Sequence, residues 1–332
     1  MVFLFYLIDP NNDTMNVPLL LAPMAELSHR ALRELIEGFI KDRKTPGKTE
    51  YFTEMISAGA FVSGGPFESW YTDNMPCPEK LVYQVVGGDA ENIARAVSLL
   101  DQNECLGIDI NMGCSAPAIT RTGAGIRWMA DIDRAGNLIR LVRPRTRRRL
   151  SVKLRTGLTD DFEYLVRFCR RLEEEGVELI TLHPRTAKEK FKRKARWNYI
   201  PALKKELRIP LAGNGDINSA EEIITRSGEC DAVMIGRLAI RCPWIFAEMT
   251  DSAPELKSLD ILELIEETGL RFLELLSKYQ PPEFHISRAR RFFSYFCENL
   301  KWGTHVKNLL NRENDLSGIE KAWQNFFKKK KE

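Results

Sequence analysis

The feature of this sequence that most restricts its fold is a regular alternation between short apolar runs and amphipathic stretches. The runs predicted as strands are 18–22, 50–54, 80–86, 106–111, 150–155, 178–182, 209–213 and 231–235. Strands that alternate with helices are typical of α/β proteins with a parallel sheet. Eight consecutive units predict a TIM (β/α)8 barrel. No G-x-G-x-x-G motif follows the first strand, which disfavours an open dinucleotide-binding sheet.

The segments between and after these runs define the domain organisation. Helices are predicted, for example, over 90–101, 131–143, 160–176 and 218–227, the last with Asn218 as its N-cap. Beyond residue 246 the alternation ends, and helices are predicted over 255–279, 285–300 and 305–330. A chain of 332 residues has room for a barrel of ~250 residues and an appended domain. We therefore predict an arm over 1–15, a catalytic barrel over 16–250 and an all-helical C-terminal domain over 251–332.

Composition excludes several classes of protein. The seven cysteines form no C-x-x-C pair, so the sequence indicates neither a disulfide framework nor a zinc site, and no metal is predicted. The apolar opening MVFLFYLI is far shorter than the ~20 residues that cross a bilayer. These observations predict a cytoplasmic protein. A net charge of +3 does not indicate nucleic-acid binding by itself, so the distribution of charge has to decide.

Polar and small residues stand within, at the end of or just after nearly every predicted strand. Active sites of TIM barrels lie at the carboxyl ends of the strands, so these residues are expected to line one mouth. They are Pro23, Met24, Ala25, Gln84, Asn111, Cys114, Lys153, His183, Arg185, Asn214, Gly215, Asp216, Gly236 and Arg237. This pattern predicts a ligand-filled site.

Individual residues of this set allow more than one interpretation. Gly215 and Gly236 follow the last two strands, where TIM barrels often bind phosphate, although glycines also serve to turn tight loops. Lys153 interrupts an apolar strand and is costly to bury without an anionic or electron-rich partner. It could form a Schiff base, or supply the cation that a reduced flavin needs while Gln84 bonds the pyrimidine edge. Cys114 is either a packing thiol or a proton donor.

Eight ordered stretches together resemble the dihydrouridine synthase family, flavoenzymes that reduce tRNA uridines with NADPH. They are LAPMAELSHRALREL, TEMISAGA, QVVGGDAENIARA, GIDINMGCSAPAI, SVKLRTGL, TLHPRTAKEKFKRKARWNYI, AGNGDINSAEE and AVMIGRLAIRCPWIF. TEMISA and NMGC are similar to the subgroup found in most bacteria. The resemblance covers residues 18–246 and, more weakly, the helical tail.

The resemblance implies a cofactor, a proton donor and a substrate. FMN contacts are implied for Pro23, Met24, Ala25, Gln84, Lys153, His183, Asn214, Gly215, Asp216, Gly236 and Arg237. Cys114 is implied as the proton donor to C5 of uracil, with hydride from reduced FMN to C6, and Asn111 as a residue that helps to place the base. The tail resembles the family's RNA-recognition domain, and we expect a monomer that binds tRNA, or another structured RNA, and NADPH.

The sequence departs from the family's usual pattern near Cys114. Ser115-Ala116 stands where proline and a nearby basic residue are usual, and Ile126-Arg127-Trp128 replaces small residues after the Gly-Ala-Gly stretch. His183-Pro184 replaces the commoner His-Gly. The first two changes lie on the loop that carries the implied acid, so they bear on the choice of RNA more than on the chemistry.

Basic residues are clustered in three places. The run 143–149 precedes the fifth strand and is interpreted as a solvated surface at the bottom of the barrel. The second cluster follows the sixth strand and comprises Lys188, Lys190, Lys192, Arg193, Lys194 and Arg196, interleaved with Phe191 and Trp197. The third lies in the tail and comprises Arg288, Arg290, Arg291, Lys301 and Lys307. We expect the last two clusters to form one RNA groove, with Arg185, Lys190, Lys192 and Arg288 contacting the substrate.

The sequence is compatible with three alternative functions. An FMN enzyme for a small pyrimidine, in the manner of dihydroorotate dehydrogenases, would need neither the basic loop nor the basic tail. A non-catalytic RNA-binding relative would not need Cys114 and Lys153, although Ser115 leaves this interpretation open. The same reaction on ribosomal RNA is not distinguished by the sequence.

Overall fold

The computed structural model describes residues 17–40, 49–250 and 260–331. Eight parallel strands form a closed barrel in sequence order, with β1 paired to both β2 and β8. The strands are β1 (Leu19–Leu21), β2 (Thr49–Ser57), β3 (Leu81–Val86), β4 (Gly107–Met112), β5 (Arg149–Gly157), β6 (Leu179–Thr186), β7 (Leu211–Asn214) and β8 (Ala232–Ile235). The predicted TIM barrel is thus confirmed, and every predicted strand overlaps an observed one.

Side-chain alternation along the strands separates an apolar outer face from a polar interior. In β5, Val152 and Leu154 are fully buried on the outer face, beneath the surrounding helices. Lys153 has the opposite orientation, and its Nζ donates to Asn214 Oδ1 of β7, 3.1 Å away. Because this bond passes over the intervening strand β6, the face that carries Lys153 points into the barrel. The barrel interior therefore holds the polar residues.

The barrel strands and eight helices belong to one compact unit, residues 16–23 and 47–235, called here the barrel unit. Its helices are α2 (Ala58–Val62), α3 (Glu68–Tyr71), α4 (Ala90–Leu100), α5 (Pro117–Thr120), α6 (Ile132–Val142), α7 (Phe162–Glu174), α8 (Tyr199–Lys204) and α9 (Ala220–Ser227). The predicted N-cap of α9 is wrong by one residue. Ser219, not Asn218, has extended backbone angles and accepts a hydrogen bond from Glu222 N–H. The hydroxyl of Ser219 thus satisfies a free amide of the first turn.

The second compact unit, called here the helical unit, comprises residues 24–46 and 236–332 in their described parts. Its helices are α1 (Arg30–Phe39), α10 (Arg237–Arg241), α11 (Ile245–Met249), α12 (Ile261–Tyr279), α13 (Pro282–Phe296), α14 (Gly303–Leu310) and α15 (Leu316–Lys331). The unit thus takes in a helix from near the N-terminus and begins again at Gly236, whereas the sequence predicted a helical domain over 251–332. The predicted arm, 1–15, lies outside the described residues.

An aromatic cluster forms the core of the helical unit. The rings of Phe272 and Phe292 stack with centroids 3.7 Å apart, and Trp323 packs against Phe293 at 4.9 Å. A Cβ on Gly269 would lie 2.6 Å from the indole of Trp323, so only glycine allows this close approach.

The predicted helix over 305–330 is divided in the structure. Polar residues between α14 and α15 interrupt it, and Asp315 Oδ1 accepts a hydrogen bond from Gly318 N–H 2.7 Å away. This side chain stabilises a new helix start at the point where the apolar pattern alone suggested continuity. Among the described helices, none combines the length and the apolar character that a membrane span requires.

Candidate active site

A chain of buried hydrogen bonds runs along the inside of the barrel towards its mouth. Gln84 Nε2 donates to Asp109 Oδ2 (2.7 Å), Ser151 Oγ donates to Asp109 Oδ1 (2.7 Å), and Asn111 Nδ2 donates to Gln84 Oε1 (2.9 Å). Burial raises the pKa of Asp109 to about 6, although these hydrogen bonds and the Lys153 ammonium act in the opposite direction. Asp109 and Ser151 were not identified from the sequence. Both could have been recognised in the sequence, because each is a polar residue inside an otherwise apolar strand.

The end of this hydrogen-bond chain holds the loop that carries Cys114. Asn111 Oδ1 accepts hydrogen bonds from the backbone N–H groups of Gly113 (3.2 Å) and Cys114 (2.9 Å). The Cys114 carbonyl in turn accepts from Ile126 N–H (3.0 Å). Gly125 has φ +59°, and a Cβ there would collide with this carbonyl oxygen. Cys114 is half-buried, and Asn111, predicted to place a base, fixes the loop that carries it.

The unusual residues near Cys114 divide into core and surface positions. Ile126 and Trp128 are buried, and the Trp128 indole N–H donates to a backbone carbonyl just after β3. Ser115 is half-buried, whereas Ala116 and Arg127 are exposed. The large residues that replace small ones therefore anchor the loop from beneath. At the two exposed positions, Ala116 and Arg127, the departure from the family's usual residues changes the surface that the loop presents to a ligand.

Lys153 places an ammonium group at the inner end of the mouth. Its pKa is lowered to about 8, first by burial and then by repulsion from Arg155, while Asp109 and the thiolate form of Cys114 raise it. Cys114 therefore lies within electrostatic range of the ammonium. Asn214, the acceptor for Lys153 Nζ, donates its own Nδ2 to a backbone carbonyl of β8, 2.8 Å away, so the carboxamide is held in one orientation.

Buried polar contacts join the ends of β6 and β7. Arg185 is only 2% exposed, and its Nη1 lies 2.8 Å from His183 Nε2, which must accept because a guanidinium only donates. Its other nitrogens donate to the Arg193 carbonyl and to the Asp216 carboxylate. Gly215 has φ +121°, and a Cβ there would lie 2.7 Å from the His183 ring. Arg185 thus serves to hold these residues together, whereas the sequence suggested direct contact with substrate.

The loop between β6 and α8, residues 187–198 and called here the basic loop, is anchored from inside. Glu189 pairs with Arg196 and accepts from Thr186 N–H at 2.8 Å. Although desolvation acts to raise it, these hydrogen bonds lower the pKa of Glu189 to about 2. Arg155 Nη1 donates to the Lys190 carbonyl at 3.2 Å. The loop exposes Lys188, Lys190, Phe191, Lys192, Arg193 and Lys194. The inward contacts therefore hold a surface on which cations surround an aromatic ring.

The two aromatic residues of the basic loop differ in role. Phe191 is 66% exposed, with the guanidinium carbons of Arg155 and Arg185 5.7 and 5.9 Å from its ring centroid. Trp197 is only 7% exposed and donates its indole N–H to the Gly215 carbonyl at 2.7 Å. The Trp197 ring is therefore part of the packing under β7, although the residue is interleaved with the basic residues of the loop. Phe191 is the aromatic residue available to a ligand.

The remaining predicted cofactor residues lie at strand ends or in the helical unit. Pro23 follows β1 and is half-buried. Met24 is held by a hydrogen bond from its N–H to the Ser28 hydroxyl (2.9 Å), and Ala25 is exposed. Gly236 directly precedes α10, and Arg237 is exposed in its first turn.

Arg288, predicted to contact RNA, is buried within the helical unit. It is 2% exposed, and its guanidinium carbon lies 4.6 Å from the Phe284 ring centroid. Its exposure is too small for a surface contact, so this part of the prediction does not agree with the structure. Arg291 and Trp302 are exposed in the same unit, the latter at 60% with Lys301 Nζ 5.7 Å from its ring.

The donor set of the barrel mouth is suited to a flat, electron-rich ligand. It combines an ammonium (Lys153), an imidazole (His183) and a carboxamide (Asn214) on the neighbouring strands β5, β6 and β7. At Gly215 a side chain would collide with the imidazole, so the backbone stays accessible for close approach. Within the ranges that the structure describes, His, Cys, Asp and Glu form no group of three or more that could hold a metal ion.

Comparison with known proteins decides the family. A family model described as dihydrouridine synthase (Dus) matches residues 20–331. The chain belongs to the dihydrouridine synthase family. A probable tRNA-dihydrouridine synthase of Aquifex aeolicus is 34% identical over 70% of this chain and 72% of its own length. The tRNA-dihydrouridine synthase B of Pseudomonas syringae is 26% identical over 95% of this chain and 92% of its own.

Structural similarity extends to other barrels. A 2-naphthoyl-CoA reductase in complex with 2-naphthoyl-CoA has a TM-score of 0.50 at 12% identity, covering 74% of this chain and 52% of that chain. At such low identity the similarity concerns the fold alone. Membership in the dihydrouridine synthase family indicates an oxidoreductase, and the barrel mouth with Cys114 is the candidate site for its reaction.

Proposed function

We propose that this dihydrouridine synthase reduces specific uridines of tRNA to 5,6-dihydrouridine, with FMN as its cofactor and NADPH as the electron donor. The observation that carries the proposal is the placement of Cys114. Cys114 is half-buried just after β4, and Asn111, which holds its backbone N–H, pairs in register with Lys153 on the neighbouring strand β5. The substrate follows the names of the relatives, which are tRNA-dihydrouridine synthases.

The proposed cofactor contacts use the donor groups of the mouth. Lys153 would supply positive charge to the electron-rich flavin, and the Gly215 backbone would allow the phosphate to approach. Gln84 is fully buried and hydrogen-bonded to Asp109 and Asn111, so it would support Asn111 rather than bond the flavin directly. The other proposed contacts are Pro23, Met24, Ala25, His183, Asn214, Asp216, Gly236 and Arg237. When bound and reduced, FMN supplies the hydride for C6 of uracil.

Cys114 is proposed to supply the proton. Its Sγ–H bond breaks as a C5–H bond forms, and the negative charge moves onto the sulfur. The Lys153 ammonium would stabilise this thiolate, because Lys153 is the register partner of Asn111, the residue that holds the Cys114 loop. Solvent protons restore the thiol after each turnover, because the side chain is partly exposed. Asn111 keeps the loop in place during the transfer.

RNA binding is proposed for the basic loop. Lys190 and Lys192 would contact phosphates, while the exposed ring of Phe191 would stack on an unpaired base beside the mouth. The exposed cations of the helical unit, including Arg291, would bind the same RNA. Arg185 and Arg288 act from beneath these surfaces, as their burial requires.

Charge reversal on the basic loop should weaken RNA binding in a salt-dependent way. For Lys190→Glu/Lys192→Glu we expect the magnitude of the slope of log K against log salt to fall by about 1.4–1.8, because each of the two phosphate contacts contributes ~0.7–0.9. Fluorescence anisotropy with labelled tRNA measures this slope. Arg145→Glu/Arg147→Glu, exposed on the segment before β5, is the matched control and should change it less. Equal slopes in the Lys variant and the wild type would contradict the proposed contacts.

The proposed reaction can be tested with purified protein. We expect a yellow protein whose visible absorption bleaches on addition of NADPH without oxygen, and which forms dihydrouridine in unmodified tRNA. Turnover of free uridine or orotate with no activity on tRNA would instead support a small-pyrimidine enzyme. Activity on ribosomal RNA alone would change the substrate, and RNA binding without bleaching would support a non-catalytic relative. The proposal also includes a cytoplasmic monomer, which sedimentation and fractionation test.

A further inference from the structure

We infer that Asp109 and Ser151 are positioning residues for Cys114, acting through the carboxamides of Gln84 and Asn111. Neither residue reaches the mouth, since both are fully buried within the barrel. Each is joined to Cys114 by hydrogen bonds of 2.7–2.9 Å through side chains on β3, β4 and β5. The inference rests on the proposed function only for the role of Cys114 as an acid.

Donor and acceptor chemistry gives this chain of bonds a direction. An ionised Asp109 only accepts hydrogen bonds, so the group of Gln84 that faces it must be the NH2. The Gln84 oxygen then faces Asn111, which must offer its own NH2. The Asn111 oxygen is thereby turned towards the N–H groups at Gly113 and Cys114. One carboxylate thus determines the orientation of two carboxamides and the anchoring of the loop.

The opposite orientation would break the anchor. If the Gln84 carboxamide turned over, Asn111 would have to turn as well and present its NH2 to the backbone N–H groups of the Cys114 loop. Two donors would then face each other in a buried site, where an unsatisfied polar group is costly. Asp109 therefore excludes an arrangement in which Cys114 loses its support.

Ser151 makes the arrangement tolerant of a change at Asp109. In Asp109→Asn the new amide can keep its oxygen towards Gln84 if its NH2 finds an acceptor, and the Ser151 hydroxyl can accept as well as donate. In Ser151→Ala the carboxylate alone still directs Gln84. In the double variant the amide introduced at position 109 has no hydroxyl beside it to accept its NH2, so neither orientation satisfies every donor. The two substitutions are expected to be far from additive.

A double-mutant cycle on the protein without RNA or flavin tests this inference. The measured quantity is the rate constant for alkylation of Cys114 by iodoacetamide, followed by mass spectrometry of its peptide. We expect single variants within about twofold of wild type and the double variant faster by about fivefold or more, as coupling within one hydrogen-bond network allows. Cys242, whose pKa is raised by burial to about 12, should stay unmodified in every folded variant, so its labelling reports loss of the fold. Additive effects would overturn the inference.

A second measurement needs only the Ser151→Ala variant and covers the case in which the double variant does not fold. Ser151 donates one of the hydrogen bonds that lower the pKa of Asp109, so its loss moves protonation of Asp109 towards neutral pH. Lys153 and Arg149 are the charged groups that also face Asp109, and both remain. In this variant a protonated Asp109 can donate its proton in a hydrogen bond to Gln84 and turn the carboxamide.

The ratio of Cys114 alkylation rates, variant over wild type, should be near one in mildly alkaline buffer and rise as the pH falls through neutrality. A constant ratio would contradict the inference. Neither measurement depends on turnover. An inactive protein with strong coupling would therefore refute the proposed function and leave the positioning role intact.

Discussion

Replacing Cys114 with Ala should lower kcat for dihydrouridine formation about 10²- to 10⁴-fold, the range over which a positioned general acid contributes. Binding of flavin and RNA should change little, because the loop is held through backbone groups of Cys114 and the Asn111 carboxamide. Bleaching of the flavin by NADPH should therefore continue at the wild-type rate. Stopped-flow absorbance and dihydrouridine quantification measure the two half-reactions separately.

Cys242→Ala is the matched control for this substitution. Cys242 is also partly exposed, but burial raises its pKa to about 12, and its Sγ faces Asn299 Oδ1 in the helical unit. Its replacement should leave kcat unchanged. If Cys114→Ala kept full activity, the proton would have to come from another group and the proposed role of Cys114 would be wrong.

Replacing Lys153 with Met should weaken FMN binding about 10- to 100-fold, since hydrogen bonds to charged groups contribute ~1.5–3 kcal/mol. Binding to the wild type should also depend on pH. The free protein has a Lys153 pKa of about 8, so affinity should be full below that value and fall as the pH rises through it. The Met variant should show no such fall. Fluorescence titration of the apoprotein with FMN measures both effects.

Although Lys153→Met should weaken FMN binding, it should raise the stability of the apoprotein at neutral pH. Burial lowers the pKa of Lys153 in the folded protein, so its charged form costs stability at neutral pH. The wild-type apoprotein should therefore gain stability as the pH rises from about 8 towards the unfolded value of ~10.4, and the Met variant should lack this gain. Lys204→Met, at a half-buried lysine paired with Asp231, is the control for lysine removal. Lys153→Arg keeps the charge but forms no imine, so retained activity would exclude the Schiff-base alternative.

The barrel could be predicted because the patterns that define its strands lie within short, continuous segments of the sequence. Each strand is a short apolar run, and the alternation in β5 already placed Lys153 on the face opposite Val152 and Leu154. The interior position of Asp109 could have been recognised in the same way, from its place in an apolar strand. Its partners Gln84 and Ser151 lie on the two neighbouring strands, so the hydrogen-bond chain itself depends on the register in which β3, β4 and β5 pair.

Burial of long cationic and aromatic side chains could not be predicted from the sequence. Arg185, Arg288 and Trp197 belong to segments that are basic and polar, yet all three are buried by contacts between distant residues. Composition indicates that such segments bind RNA but does not show which side chains point outward. The structure reduces the candidate RNA surface of the barrel unit to the exposed part of the basic loop, with Phe191 among its cations.

The most direct test of the whole account is a map of dihydrouridine across all RNA of cells that lack this gene. We predict loss of dihydrouridine at one or a few tRNA positions, restored by the wild-type gene and not by the Cys114→Ala variant. Retention of dihydrouridine at every position in the deleted strain would contradict the proposed function.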